Sequence, residues 1–492
     1  MGFAWSRRWI GRTVACSTVA AACTVATASS GVAAVATPTV TAASGGAGVP
    51  VLASTAFDLA DVGYESSEYV LSGTANAYTS AAPLTGDGKW TATTGESAPY
   101  VTRVVVYRPK RAKKFNGTAI VEWLNVSGGV DANPDWMQTH NQLIRDGYAW
   151  VGVSAQAVGL NATKTSDPVR YATLSHPGDS FSYDMFSQAG QAVRSNPMIL
   201  GGLEPKHVLG VGESQSAGRL VTYLNAVAPT AGVYDGYMVH SRGGGGAALA
   251  QAPLAPITVP NPTVIRDDLQ VPVFVYQTET DVSGSNLGSR QDDTKRFRLW
   301  EGAGTSHYDT YGLTIGGHDV GDGQGAVKAI EFMQRPTNDP VPGIITCRLA
   351  INTGPMHWQL DAVVHHLNEW VVNGTPPPKA PRLEVAGTGP VTYTLDDGGN
   401  AQGGVRSPQV DAPLAALGGV SNSGEGSLGQ FCRLFGTTVP FSGEQLAARY
   451  ANNRAFVKQW SKAVGRALKA GYLVPEDAKE LKQAAARSDI GA

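Results

Sequence analysis

Between Thr118 and Trp300 the chain repeats one pattern: a short run that is apolar throughout, then a Gly, Ser or Asn, then a stretch of helical periodicity. The apolar runs are Thr118–Leu124, Tyr148–Val153, His207–Gly212, Tyr234–Val239, Val271–Tyr276 and Lys295–Trp300, with helix-like stretches at Trp136–Arg145, Ser182–Val193 and Ala217–Asn225. A strand with alternating apolar residues buries one face, whereas a strand that is apolar at nearly every position is covered on both. Such runs interleaved with helices predict an α/β fold with a doubly wound, mainly parallel sheet. Upstream, Ser67–Leu71 and Val101–Tyr107 alternate with polar turns and predict an antiparallel amino-terminal portion. The alternation fades near Cys347, and the remainder of the chain reads as a mixed, largely helical carboxy-terminal extension.

The organisation expected is an export signal at 1–36, a flexible lead-in at 37–56, the α/β core at 57–340 and an extension at 341–492 packing on that core. Arg7, Arg8 and Arg12 precede a run of Ala, Val, Thr and Ser, and the first acidic residue is Asp58. That is the pattern of a cleavable signal, with a cut after Ala36 and a secreted or extracytoplasmic product. Ser6–Arg12 is also similar to a twin-arginine leader. The apolar run is too short and too rich in hydroxyls for a stable membrane span. Cys16 and Cys23 fall inside the leader, which leaves Cys347 and Cys432 as an even pair in an oxidising compartment and predicts one disulfide. A formal net charge of -2 provides no basic field to capture nucleic acid.

The run His207–Gly212 leads directly into Glu213-Ser214-Gln215-Ser216-Ala217-Gly218 and then into helical periodicity. A strand that turns sharply into a helix strains the residue at the apex and demands small residues two positions to either side. Gly212 and Ser216 meet that demand for Ser214, the candidate nucleophile; Ser216, flanked by Ser214 and Gly218, is the alternative. A serine hydroxyl needs a base to take its proton, and the base needs an acid to hold its tautomer. After the nucleophile in chain order, Gln277–Val282 offers Asp281 as the acid, with Glu279 as the alternative, and the Gly-rich loop after Trp300 offers His307 as the base. Backbone donors for an oxyanion are expected at Gln215 and at Asn125 or Val126. Arg242 is a candidate for binding an anionic substrate group, and Trp123, Trp136 and Tyr308 are candidates for the pocket wall. The run Gly243–Gly246 lacks the Lys-Ser/Thr of a nucleotide loop, and His318, Asp319 and Asp322 lack paired ligand spacing, so neither cofactor nor metal is expected.

Val121-Glu122-Trp123-Leu124-Asn125-Val126, Gly212-Glu213-Ser214-Gln215-Ser216, Glu279-Thr280-Asp281 and Asn373-Gly374-Thr375-Pro376-Pro377 resemble a bacterial α/β-hydrolase-domain family, over most of the chain from about Phe57. This sequence has Ser216 where many hydrolases have Gly. The resemblance implies cofactor-free hydrolysis of an ester or related acyl bond in a small-molecule substrate. The other reading is a secreted ligand-binding protein that keeps the fold without the activity.

Overall fold

The structure, a computed structural model, describes residues 1–2, 4 and 34–491. The paired arginines, Cys16 and Cys23 of the expected leader lie outside the described residues. Nine strands form one sheet: β1 Thr39–Ala42, β2 Tyr64–Thr79, β3 Thr93–Pro109, β4 Thr118–Trp123, β5 Ala149–Val153, β6 His207–Glu213, β7 Gly236–His240, β8 Val273–Gln277 and β9 Phe297–Glu301. Their order across the sheet is β1-β2-β3-β5-β4-β6-β7-β8-β9. The first three strands and the β3–β5 junction pair antiparallel, and every pair from β5 to β9 is parallel. This is the doubly wound, mainly parallel sheet with an antiparallel amino-terminal portion that the apolar runs imply, as the resemblance to α/β-hydrolases also leads one to expect.

Alternate residues of the parallel strands point to opposite faces, and each face has its own core. Val121, Val239, Val275 and Leu299 pack with Phe186, Ala189, Leu220 and Leu224 from the helices α3 (Ser182–Ser195) and α4 (Gln215–Ala226). On the other face Ile120, Leu209, Met238, Phe274 and Trp300 meet Leu143 of α1 (Pro134–Asp146) and Met356, Leu360 and Val363 of the helix Met356–Asn373. The helix α2 (Ala157–Ser166) has no counterpart in the sequence reading. Each fully buried aliphatic or aromatic side chain contributes about 1.5–3 kcal/mol, so two stacked cores hold the strand ends rigidly where the site is built.

Two expectations are corrected. The segment 37–56 is not a flexible lead-in throughout, because Thr39–Ala42 pairs in register with Tyr69–Ser72 as an edge strand. Trp123 does not face a pocket: it is fully buried against Tyr183 and Phe186, with Nε1 donating to Gln156 Oε1 at 3.1 Å. The same holds for Trp136, which packs in the core against Tyr107 and Trp150.

Residues 341–492 belong to the same compact unit as the sheet. Cys347 and Cys432 form a disulfide, and Ile351 and Phe435 pack with them in a small core. The helices Asn453–Ala470 and Pro475–Arg487 share a core with Met333, Trp358 and Leu417. Among the described residues no helix is long and apolar enough to cross a membrane.

Candidate active site

Ser214 stands at the apex between β6 and α4 with φ 57° and ψ -112°, a backbone conformation that a non-glycine residue rarely adopts. Its amide donates to His240 O at 2.9 Å, and its carbonyl accepts the amide of Gly218 at 3.0 Å as the first turn of α4 closes. A Cβ on Gly212 would lie 3.1 Å from Leu220 Cδ1 and 3.2 Å from Ser216 Cβ, so any side chain there would press its neighbours aside by a few tenths of an ångström. Ser216 is fully buried against the strand end, with no hydrogen-bond partner for Oγ among the described residues. It has no access to substrate, whereas Ser214 lines an open cleft.

Ser214 Oγ lies within hydrogen-bond distance of His307 Nε2, at 2.6 Å, and His307 Nδ1–H donates to Asp281 Oδ1 at 2.5 Å. All three follow the carboxyl ends of strands β6, β9 and β8, which the parallel sheet brings to one edge. Local chemistry fixes the Asp281 carboxylate. Thr278 and Asp281 form a capping box at the start of the helix Glu279–Gly284, in which Asp281 Oδ2 accepts the amide and the hydroxyl of Thr278, both at 2.7 Å. One carboxylate oxygen is thereby anchored and the other is left for His307. His307 is held too, since its amide donates to Thr280 Oγ1 at 3.0 Å.

Glu279, the alternative acid, does not reach the histidine. Its carboxylate accepts the amides of Gly304 at 2.6 Å and Gly419 at 2.9 Å, and burial pushes it up to about 7. It ties the loop of His307 to the carboxy-terminal region. Glu279→Ala leaves those two buried amides unpaired and is expected to lower stability on the order of 2–4 kcal/mol, read as a lower urea midpoint. A loss of turnover in the fully folded variant as deep as that of an Asp281 variant would contradict this structural role.

The electrostatics of the site come from buried acids. Burial works against the His307 imidazolium, but the Asp281 carboxylate, helped by Glu213, outweighs it and pushes the histidine up to about 9. For Asp281 burial acts upward, and the charge and hydrogen bond of His307 overcome it, holding the carboxyl below its ordinary value. Glu213, next to Ser214, places Oε1 3.2 Å from His307 Nε2. Burial pushes its carboxyl up to about 7, against the pull of His307 and His240. Beneath it His240 Nδ1 lies 2.8 Å from Asp135 Oδ1, and Glu122 accepts the amides of Asp135 and Trp136 at the start of α1. Sequence reasoning missed this polar layer, although a Glu closing an apolar strand beside the apex serine was a visible signal.

The Asn125 loop differs from expectation. The amide of Asn125 is engaged with Ala132 O at 2.8 Å and is not free for an oxyanion. Its side chain instead holds Glu213, with Nδ2 donating to the backbone oxygen and to Oε2, both at 3.0 Å. The amides of Gln215 and Val126 have no partner among the described residues and remain candidates. The cleft holds about 750 Å³ and is lined by Ser127, Gln215, Ser241, Arg242 and, from the far wall, Gly419–Asn422 and Gln430–Leu434 without Cys432. Tyr308 lies beside His307 but packs into the core behind it rather than lining the cleft. Among the described residues no group of three or more His, Cys, Asp or Glu is arranged to hold a metal ion.

A search of curated protein sequences finds no match to this chain. Among solved structures it is similar to acetyl xylan esterase 1 of Thermoanaerobacterium sp., at 10 % identity and TM-score 0.24, over 42 % of this chain and 53 % of that one. A thermostable esterase from Pseudomonas putida matches at 15 % identity and TM-score 0.24, covering 46 % of this chain and 66 % of that one. An α/β serine hydrolase without a lid from Xanthomonas campestris matches at 16 % identity and TM-score 0.26, over 45 % and 84 % of the two chains. This chain thus spans about half the length of the acetyl xylan esterase, and scores of this size carry no inference about activity. The family comparison is of another order, since residues 35–483, most of the chain, match the alpha/beta hydrolase domain. With its sheet order and its strained serine at the end of β6, the chain belongs to the alpha/beta hydrolase domain family.

Proposed function

We propose that the protein is a secreted serine hydrolase that cleaves an ester bond of a small molecule through an acyl-enzyme. The observation that carries this reading is the continuous hydrogen-bonded line from Ser214 through His307 to Asp281, opening onto a cleft. Ser214 Oγ attacks the ester carbonyl carbon while His307 Nε2 accepts its proton, and Asp281 holds the imidazole in the tautomer that can do so. The oxyanion is met by the amide of Gln215 and, from the facing loop, by that of Val126. As the intermediate collapses, the imidazolium returns its proton to the departing alcohol. Water, deprotonated by the same nitrogen, then releases the acid. The export part of the reading rests on the arginines and small residues at the amino terminus.

Reaction with a fluorophosphonate probe followed by peptide mass spectrometry tests the assignment. The expected result is one adduct, on Ser214, that disappears in His307→Ala. An adduct on Ser216 would move the nucleophile, and no adduct in a folded protein would leave the ligand-binding reading in its place.

The acids around His307 predict the pH profile. Catalysis needs the neutral imidazole, and nearby carboxylates favour the imidazolium, so the neutral form accumulates only as pH rises toward about 9. Glu213 ionises near 7 and opposes deprotonation of the histidine across that same window. The acid limb of kcat/KM is therefore expected well above 6.5 and is expected to move down in Glu213→Gln, as measured with a neutral ester. An unmoved limb would show that Glu213 does not act on the base.

A further inference from the structure

We propose that Ser241, Arg242 and Arg433 form an anion subsite of the cleft, so that the ester hydrolysed at Ser214 carries a carboxylate or comparable anionic group. This rests on the serine-hydrolase reading and names the substrate class for that site.

Arg242 is the central observation. It is 2 % exposed, lines the cleft and has no carboxylate within ion-pair distance among the described residues. Nε donates to Gly243 O at 2.9 Å, and Nη2 donates to Gly244 O at 3.1 Å and Thr263 O at 2.5 Å, whereas Nη1 has no partner among the described residues. Its backbone is clamped by Gln277, whose side chain bonds both the amide and the carbonyl at 2.8 Å. The fork is therefore fixed in place with one arm unused. A buried cation without a counter-ion is unfavourable by several kcal/mol, and natural interiors normally offset that cost with a carboxylate. Burial pulls the guanidinium down to about 10, which still leaves it charged at neutral pH.

Ser241 supplies an independent sign. It is 1 % exposed, lines the same cleft, and its Oγ has no hydrogen-bond partner among the described residues. Its φ of 54° is in the left-handed region, a conformation that surrounding structure must impose on a serine. Two unpartnered polar groups on consecutive residues, held by a strained turn at the end of β7, make a preorganised acceptor for an anion. Arg433 extends the positive potential from the opposite wall: it is exposed, lines the cleft and is close enough for its charge to act on His307. Among the described residues the only carboxylate in the cleft lining is Asp281, already engaged by His307 and Thr278. A substrate anion would therefore meet arginine and hydroxyl groups, with the Asp281 carboxylate bound to His307 and Thr278 and the Glu213 carboxylate against His307 Nε2.

The test compares matched esters in the intact protein. 4-Nitrophenyl hemiadipate and 4-nitrophenyl hexanoate differ in a terminal acyl carboxylate; the acetates of 4-hydroxybenzoate and of its methyl ester differ in a carboxylate on the alcohol. In one of the two pairs kcat/KM is expected to favour the anion by about tenfold or more, as a charge-assisted hydrogen bond provides. That ratio is expected to fall toward one in Arg242→Gln and in Arg433→Gln. The exposed Arg433 keeps the test alive if the buried substitution does not fold. Neutral esters preferred in both pairs, with an adduct still forming on Ser214, would overturn the subsite and leave the hydrolase standing. An unchanged ratio in both variants, or an equal loss on charged and neutral esters, would also overturn it. No turnover of any ester and no adduct would overturn the hydrolase reading and the subsite together.

Discussion

Ser214→Ala is expected to lower kcat for a short-chain 4-nitrophenyl ester by about 10⁴-fold or more, because it removes the atom that forms the acyl-enzyme. KM is expected to change little, since the methyl group keeps the backbone turn and the walls of the cleft. The local fold predicts that the variant is well behaved: alanine tolerates the φ of 57° no worse than serine, and the hydrogen bonds of the Ser214 amide and carbonyl do not involve the side chain. Steady-state kinetics with a circular dichroism check for folding decides the matter. Residual turnover within tenfold of the parent would place the nucleophile elsewhere. Ser216→Ala is the natural control, and it should leave the rate near that of the parent because Ser216 Oγ is sealed in the interior.

The second large effect is expected at Asp281. Asp281→Asn preserves shape, but an amide nitrogen cannot accept the Nδ1 proton of His307, and the opposite tautomer places that proton on Nε2, where the serine hydroxyl needs an acceptor. A fall in kcat of about 10³–10⁴ is expected. The substitution also weakens the capping box, because one of the two oxygens now held by Thr278 and His307 becomes a donor. A thermal melt beside the kinetics separates the two effects, since lost stability lowers the melting temperature while a wrong tautomer lowers kcat in a folded enzyme. A fall in kcat of less than about tenfold would mean that another group orients the base.

The parallel strands were legible because each is covered on both faces, so that continuous apolar runs such as Thr118–Leu124 and His207–Gly212 announced themselves. The turn at Ser214 was legible for a related reason, as its steric demand for Gly212 and for a small residue at 216 is written in nearby positions. What escaped was long-range. The wall from Gly419 to Leu434 is turn-rich, without period, and comes to the site only through contacts such as Glu279 with Gly419 and Thr280 with Gly419. The strand Thr39–Ala42 exposes three of its four residues, so its pairing with β2 leaves no apolar signature. Trp123 misled because a large aromatic at a strand end fits a pocket wall as well as a core, and only the face it points to decides. The Asn125 loop misled differently: a Gly-rich loop suggests open amides, but the bridge to Ala132 closes one of them.

In time rather than in space, that distant wall makes the site a late arrival. Synthesis runs from the amino terminus, so Ser214, Asp281 and His307 leave the ribosome well before Gly419 and Leu434. Until those residues appear, the Glu279 carboxylate lacks its bond to the Gly419 amide, and the amide of Tyr308, next to the histidine, lacks its acceptor at Leu434 O. The growing chain can stack its sheet and helices early, but the loops that carry Asp281 and His307 are pinned only near the end. These two restraints on the Asp281 and His307 loops therefore form only when the polypeptide is nearly complete.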